Sequence, residues 1–181
     1  MKTLIATVIL AAAAALTWAA RVQDKPEVPK PVKEHEFLKK FTGTWESKMS
    51  LRHAPDQPWM ETKGTEQARM VGDFWVVSDM KIDSSEMPMQ GMQTVGYDPI
   101  KKKYVVTWIG SSNPSLSVGE GTIKGQTLTT EITSTDCQTG KPLSMTMVQE
   151  FKDDDTYVWT MRMKGKDGKD FECMKGESKR R

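Results

Sequence analysis

The chain has 181 residues and a formal net charge of +2, with 26 lysine and arginine residues against 24 acidic residues. Because these charges are nearly balanced and interspersed, the composition argues against nucleic acid as a partner. The length that remains after the N-terminal segment suits one domain with one hydrophobic core.

The first residues have the pattern of a secretory signal peptide. Lys2 precedes an apolar run from Leu4 to Leu16, and the small residues Ala19 and Ala20 follow it. A basic start, a short apolar region and small residues at the cleavage point are typical of such signals. The run is also short for a membrane-spanning helix. We therefore predict a signal peptide at residues 1–19, export to the periplasm or secretion, and no stable membrane anchor after cleavage.

A tether and a short helix come before the first strand. Residues 20–33 contain several prolines among charged residues, which predicts an extended tether before a folded domain at residues 34–181. Phe37, Leu38 and Phe41 have the spacing of an apolar helix stripe. Gly43 can take the left-handed conformation that ends such a helix.

The first strand is predicted from Trp45 to His53, where polar and apolar residues alternate with period two. Similar segments follow between turn signals, for a total of about ten strands. The others are Met60–Val71, Asp73–Asp83, Met87–Tyr97, Tyr104–Trp108, Leu116–Ile123, Leu128–Ile132, Met145–Phe151, Tyr157–Met163 and Asp170–Gly176. An open sheet of this size would expose two edges, which closure removes. We predict an all-β fold: a closed antiparallel up-and-down barrel with Trp45 at its floor.

Several motifs resemble a known family of barrels. Gly43-Thr44-Trp45 after a short helix is similar to the opening of calycins, the superfamily of lipocalins, fatty-acid-binding proteins and nitrobindin-like barrels. Together with Gly96-Tyr97-Asp98, Lys102-Lys103-Tyr104 and Asp167-Gly168-Lys169, it resembles the bacterial family of exported domains of unknown function numbered 1579. The resemblance implies a calycin-like fold and assigns no activity. In lipocalins a basic residue after the last strand packs on the tryptophan, and Lys175, Lys179 and Arg180 are the candidates here.

Methionine is the unusual feature of the composition, with 13 residues in the chain. Met-x-Met pairs occur at Met87–Met89, Met145–Met147 and Met161–Met163. Thioethers bind Cu(I), but neither cysteine nor histidine accompanies these pairs. In a strand, Met-x-Met places both side chains on one face, so we interpret the pairs as the lining of an adaptable core or cavity.

Other candidate metal and anion sites have simpler interpretations. His35 is predicted to be solvated and His53 to lie at the rim. A haem ligand at His53, as in nitrobindin-like barrels, is disfavoured because the glycine-rich opening around the tryptophan is absent. Asp153–Asp155 and Lys101–Lys103 are interpreted as solvated turns rather than Ca²⁺ or anion sites. A disulfide between Cys137 and Cys173 is left open, since its geometry is demanding.

These patterns predict an exported barrel that binds a small apolar or amphipathic molecule in its lumen. Glu120 is predicted to point inward with Leu116 and Val118, where its carboxylate could bind a cationic or hydroxyl group. The predicted ligand-binding residues are Met49, Met80, Tyr104, Val106, Trp108, Glu120, Met145, Met147, Gln149, Tyr157, Trp159, Met161 and Met163. A filled barrel that acts as a protein-interaction module is the first alternative, and an enzyme that uses Glu120 or His53 is the second. No catalytic motif occurs in the sequence, and no catalytic residue, cofactor or metal ligand is assigned.

Overall fold

The computed structural model of the chain describes residues 29–84, 88–165 and 167–181. The predicted signal peptide, most of the predicted tether, Met87 and Lys166 lie outside these residues. A 3₁₀ helix, Lys33–Phe41, precedes ten strands: β1 Gly43–Leu51, β2 Met60–Val71, β3 Trp75–Asp83, β4 Met89–Asp98, β5 Lys103–Gly110, β6 Asn113–Lys124, β7 Thr127–Thr135, β8 Pro142–Phe151, β9 Thr156–Lys164 and β10 Asp170–Arg180. Within the described residues, no helix has the length and apolar character needed to cross a membrane.

The ten strands form one closed antiparallel barrel. Each strand pairs with its neighbours in the chain, and β1 also pairs with β10, so that the described sheet has no open edge. The predicted all-β up-and-down barrel is confirmed. Strands β5 to β10 are all longer than predicted; for example, β6 begins at Asn113 instead of Leu116, and β10 continues past Gly176 to Arg180.

The N-terminal helix covers one end of the barrel, and every third residue from His35 to Phe41 is buried. His35, Leu38 and Phe41 are its buried residues, and a 3₁₀ helix with three residues per turn places them on one face. The prediction that His35 is solvated is wrong. Its Nδ1 accepts a hydrogen bond from the backbone N–H of Val32 at 3.0 Å, and its ring lies edge-on to Phe74, with 5.3 Å between the centroids.

Trp45 lies at the barrel floor, beneath this helix. Its side chain is fully buried, and its Nε1–H donates to the carbonyl oxygen of Phe41 at 2.8 Å. The guanidinium carbon of Arg180 lies 4.2 Å from the Trp45 ring centroid. Of the three basic residues considered for this position, Arg180 occupies it, whereas Lys175 lies over Trp59 at 4.4 Å and Lys179 is exposed. The helix, Trp45 and Arg180 together close this end of the barrel.

Strand β6 faces the opposite way from the prediction. Leu116 and Val118 are 55% and 45% exposed, and Glu120 is an outer-surface residue whose carboxylate pairs with Lys101 Nζ at 2.6 Å. The inner face of the strand carries Asn113, Ser115, Ser117, Gly119 and Gly121 instead. A Cβ atom at Gly121 would collide with backbone atoms of β7, so the close strand approach requires glycine on this face. The inward placement of Glu120 is therefore wrong.

The two cysteines lie in different environments and do not form a disulfide. Cys137 is exposed in the turn after β7, whereas Cys173 is buried in β10, and both thiols are free. Burial raises the pKa of the Cys173 thiol. Its low exposure and raised pKa make Cys173 a poorly reactive thiol, since the thiolate is the reactive form.

Candidate ligand-binding site

A cavity of about 280 Å³ occupies the barrel lumen above the Trp45 floor, and all ten strands contribute to its wall. At the end away from the helix, the wall includes the exposed Ser112 in the turn between β5 and β6, so the cavity reaches the surface there. A volume of about 280 Å³ is close to the lower end of the range of about 300–1,000 Å³ that is typical of small-molecule sites, so the space suits a small organic guest.

Methionine contributes more residues to the cavity wall than any other residue type. The lining methionines are Met49, Met80, Met89, Met145, Met147, Met161 and Met174. Met147 pairs with Met161 across β8 and β9, and Met161 pairs with Met174 across β9 and β10. These cross-strand neighbours form a continuous thioether surface. Because methionine side chains are unbranched and polarizable, this wall can adapt to guests of different shape.

Two tryptophans complete the apolar wall, and each packs against a glycine on a neighbouring strand. Trp159 is paired with Gly176, where an added Cβ atom would lie 2.6 Å from the ring. Trp108 lies against Gly91 in the same manner, and an added Cβ atom there would collide with the ring. The glycines let both rings lie close to the sheet, which leaves the centre of the lumen open.

A carboxylic acid group lies deep in this apolar cavity. Glu66 is on the inner face of β2, only 3% exposed, and its Oε2 accepts a hydrogen bond from the Tyr157 hydroxyl at 2.8 Å. The Ser78 side chain is also hydrogen-bonded to this carboxyl group. Burial raises the pKa of Glu66 more than these two hydrogen bonds lower it. Burial and the neighbouring Glu66 also raise the pKa of Tyr157 well above its usual value.

Further polar groups lie near Glu66 on the cavity floor. The hydroxyl groups of Ser47 and Ser178 are hydrogen-bonded at 2.7 Å, and Trp159 Nε1–H donates to Ser178 at 3.2 Å. Gln149 is buried and lines the cavity, and its side-chain amide has no hydrogen-bond partner among the described residues. The floor thus combines an acid, hydroxyl groups and a free amide beneath an apolar wall.

The structure places most of the predicted ligand-binding residues around this cavity. These are Met49, Met80, Val106, Trp108, Met145, Met147, Gln149, Tyr157, Trp159 and Met161. Tyr104 lies outside the lining because it stands at the helix end of β5, where its hydroxyl donates to the Glu34 carbonyl at 2.7 Å. Met163 is partly buried near the far end of β9, and Glu120 is on the outer surface. The predicted lumen contact of Glu120 is therefore wrong, whereas ligand contacts of Tyr104 and Met163 stay predictions.

Sequence reasoning missed Glu66, although a signal for it was present. Glu66 shares its strand face with Gly64 and Ala68, and all three are buried. Small residues on both sides of an acid at period-two spacing indicate that the acid shares the inner face. The sequence analysis predicted an inward carboxylate at Glu120 on β6, whereas the structure has one at Glu66 on β2.

The other candidate sites have surface environments. His53 is exposed after the end of β1. Asp154 pairs with Lys40 at 2.9 Å, and the hydrogen bond from this lysine lowers the pKa of Asp154. Asp155 pairs with Arg180 at 3.0 Å. In the described part of the chain, no group of three or more His, Cys, Asp or Glu residues is arranged to hold a metal ion.

The fold resembles those of two solved proteins of low sequence identity. One is Rv2717c from M. tuberculosis, with a TM-score of 0.63, 12% identity, and coverage of 84% of this chain and 99% of that chain. The other is the S-type phycobiliprotein lyase CPES from Guillardia theta, with a TM-score of 0.53, 13% identity, and coverage of 84% and 98%. At these identities the likeness establishes a shared fold alone.

Sequence comparison supplies a family and no curated relative. No curated protein matches the chain. A family profile matches residues 30–180, which include the helix and all ten strands. The chain belongs to the family described as "Protein of unknown function (DUF1579)".

Proposed function

We propose that this protein is exported and that its barrel binds a small apolar or amphipathic molecule in the lumen. The observation that carries the proposal is the cavity of about 280 Å³ with a wall of methionines and tryptophans and a polar floor. Ligand sites are typically concave and largely apolar, with a few polar groups that orient the guest. The Met147–Met161–Met174 surface supplies apolar contact, and the floor near Glu66 supplies the orienting groups.

The cavity also favours binding over a purely structural barrel. A solid core would fill the lumen with large side chains, as barrels of about eight strands do. Here Ser117, Ser134 and Gly64 contribute small side chains or none to the wall. An apolar guest would restore the van der Waals contacts that an unfilled space lacks.

The proposal is tested with N-phenyl-1-naphthylamine, an uncharged probe whose fluorescence rises in apolar surroundings. We expect saturable binding with one site per chain. Met147→Trp and Met161→Trp should abolish this binding while the proteins remain folded, because each places a larger side chain in the lumen. Met92→Trp is the matched control, since Met92 lies on the outer surface and is 39% exposed. Absent binding, or binding that both lumen variants retain, would contradict the proposal.

Export is tested separately by intact-mass analysis of the protein from its native source. The expected mature N-terminus is Ala20, because the apolar run Leu4–Leu16 and the small residues after it have the pattern of a cleaved signal. Retention of Met1 in the mature protein would contradict cleavage.

A further inference from the structure

Glu66 is a buried acid that faces the lumen without a basic partner. Among the described residues it has no ion pair, and its hydrogen-bond partners are Tyr157 and Ser78. A carboxylate offers about four acceptor positions, so two hydroxyl donors leave acceptor capacity unused. Buried charges in proteins are ordinarily paired, because an isolated charge loses its hydration without compensation.

The residues around Glu66 do not supply the missing positive charge. Its neighbours across the sheet are Trp45 on β1 and Met80 on β3, and neither can ionise in the accessible pH range. From β9 it is faced by Tyr157, whose pKa is raised well above its usual value. Lys81 is on the outer side of β3, where its ammonium pairs with Asp83 at 2.9 Å.

Arg180 lies near this region but has other partners. Its guanidinium packs over Trp45 and donates hydrogen bonds to the backbone oxygens of Thr42 and Asp154. It also pairs with the Asp155 carboxylate at 3.0 Å. Arg180 therefore stabilises the closed end of the barrel and leaves the carboxyl group of Glu66 uncompensated.

We propose that the lumen selects guests that carry a protonated amine on an apolar body, with the ammonium group bound by Glu66. This inference rests on the proposed lumen-binding function and specifies the chemical class of the ligand. An ammonium group would donate to the free acceptor positions of Glu66, in a charge-assisted hydrogen bond. The unpartnered amide of Gln149 offers a second acceptor on the same floor.

The proposal implies a characteristic pH dependence. Burial favours the neutral form of Glu66 in the empty cavity, since its pKa is raised. Binding of an ammonium group requires the ionised form, so amine affinity should rise as the pH increases through the pKa of Glu66. It should fall again when the amine itself loses its proton. An uncharged guest of the same length lacks this dependence, because its binding does not require ionisation of Glu66.

The experiment compares octylamine, 1-octanol and octanoate as competitors that displace bound N-phenyl-1-naphthylamine near neutral pH. These compounds share their chain length and differ in the polar group. We expect octylamine to bind at least about tenfold more tightly than octanoate, the ratio for a difference of 1.4 kcal/mol, because a hydrogen bond to a charged group contributes about this much or more. Glu66→Gln should remove most of this preference.

Glu120→Gln is the matched control, because it removes one negative charge from the outer surface and should leave the preference unchanged. If the Glu66 variant does not fold, the pH profile of octylamine affinity relative to 1-octanol in the unaltered protein decides the question. A flat profile, equal affinities for the three competitors, or a preference retained by Glu66→Gln would overturn the proposal. Failure of the naphthylamine probe to bind would instead overturn the lumen-binding function and this inference with it.

Discussion

The helix end of the barrel and the lumen above it are built from different kinds of side chain. The helix end is an aromatic cluster in which Phe41, Trp45, Phe151 and Tyr157 contact one another, with centroid distances of 4.9 Å for Phe41–Phe151 and for Trp45–Tyr157. The lumen above it is lined mainly by methionines and serines around an open space. Edge-to-face rings fix one geometry, whereas methionine side chains tolerate several.

Polar groups show the same difference between the two regions. At the helix end, the Trp45 Nε1–H and the Tyr104 hydroxyl both donate to backbone oxygens, at 2.8 and 2.7 Å. On the cavity floor, Glu66 and Gln149 face free space with unused hydrogen-bonding capacity. The helix end is thus fixed by satisfied polar groups, whereas the cavity floor keeps unused hydrogen-bonding capacity that the proposed guest would use.

The largest effect on stability is expected from the removal of the Trp45 ring. Trp45→Ala should lower the free energy of unfolding by about 3–5 kcal/mol, because it removes a fully buried ring from the aromatic cluster. Denaturant unfolding measures the change. Trp75→Ala, on the outer surface, should cost clearly less because Trp75 is 40% exposed. Equal losses in the two variants would contradict the structural role of the helix end.

The next effect concerns Arg180. Arg180→Ala should cost about 1.5–3 kcal/mol, the range for hydrogen bonds made by a charged group, because it removes donors to the Thr42 and Asp154 carbonyls and the contact with Trp45. The adjacent Arg181→Ala is the control. Arg181 is largely exposed, and its ion pair with the Glu46 carboxylate is a loose surface pair at 3.6 Å. Its removal should therefore change stability by less than about 1 kcal/mol. Similar losses would show that closure does not depend on Arg180.

The third effect is a pH-dependent difference in the free energy of unfolding between the parent protein and Glu66→Gln. Because burial raises the pKa of Glu66 in the folded state, its stabilising contribution is complete below the unfolded pKa of about 4.3 and is lost as the pH rises through the folded value. Glu66→Gln has no proton to lose. Its free energy of unfolding relative to the parent should therefore increase from about pH 4 to about pH 8. Denaturant melts across this range measure the trend, and a difference that decreases with pH would refute the argument.

The smallest effect is expected within the methionine wall. Met147→Leu should cost less than about 1.5 kcal/mol, because the side chains have similar volume and the cavity lets neighbours adjust. Leu38→Met in the helix is the matched change, and Leu38 is fully buried. We expect the helix variant to lose more stability than the lumen variant, as measured by their denaturant midpoints. The reverse order would mean that the lumen wall is packed as specifically as the helix end.

The strand pattern made the barrel predictable. Period-two alternation between turn signals predicted the number of strands, and the need to remove sheet edges predicted closure. Gly43 was predicted to end the helix and Trp45 to begin the first strand; in the structure the helix ends at Phe41, and β1 already begins at Gly43, whose φ is 123°. The Met-x-Met spacing alone placed Met145 and Met147 on one face of β8, and Met161 and Met163 on one face of β9, since alternate residues share a face in any strand.

The cavity floor was harder to predict because it depends on which face of a polar strand turns inward. On β6, hydrophobicity favoured Leu116 and Val118 as inner residues, but Gly121 faces inward where β7 allows no Cβ atom. Serines and glycines on the inner face of β6 keep the cavity open, but they reverse the usual pattern in which apolar residues face inward and polar residues face outward. Glu66 was missed for the same reason, since hydrophobicity alone places an acid in water.

The pairing of β1 with β10 has a consequence for the order of folding. The hydrogen bond between Ser47 and Ser178 joins residues that are 131 positions apart in the chain. Such a contact requires closure of a long loop, which slows folding in proteins rich in distant pairings. During synthesis β1 is the first of the ten strands to be made and β10 is the last, so one edge of β1 stays unpaired until β10 has been made. During this interval that edge is open to pairing with another chain.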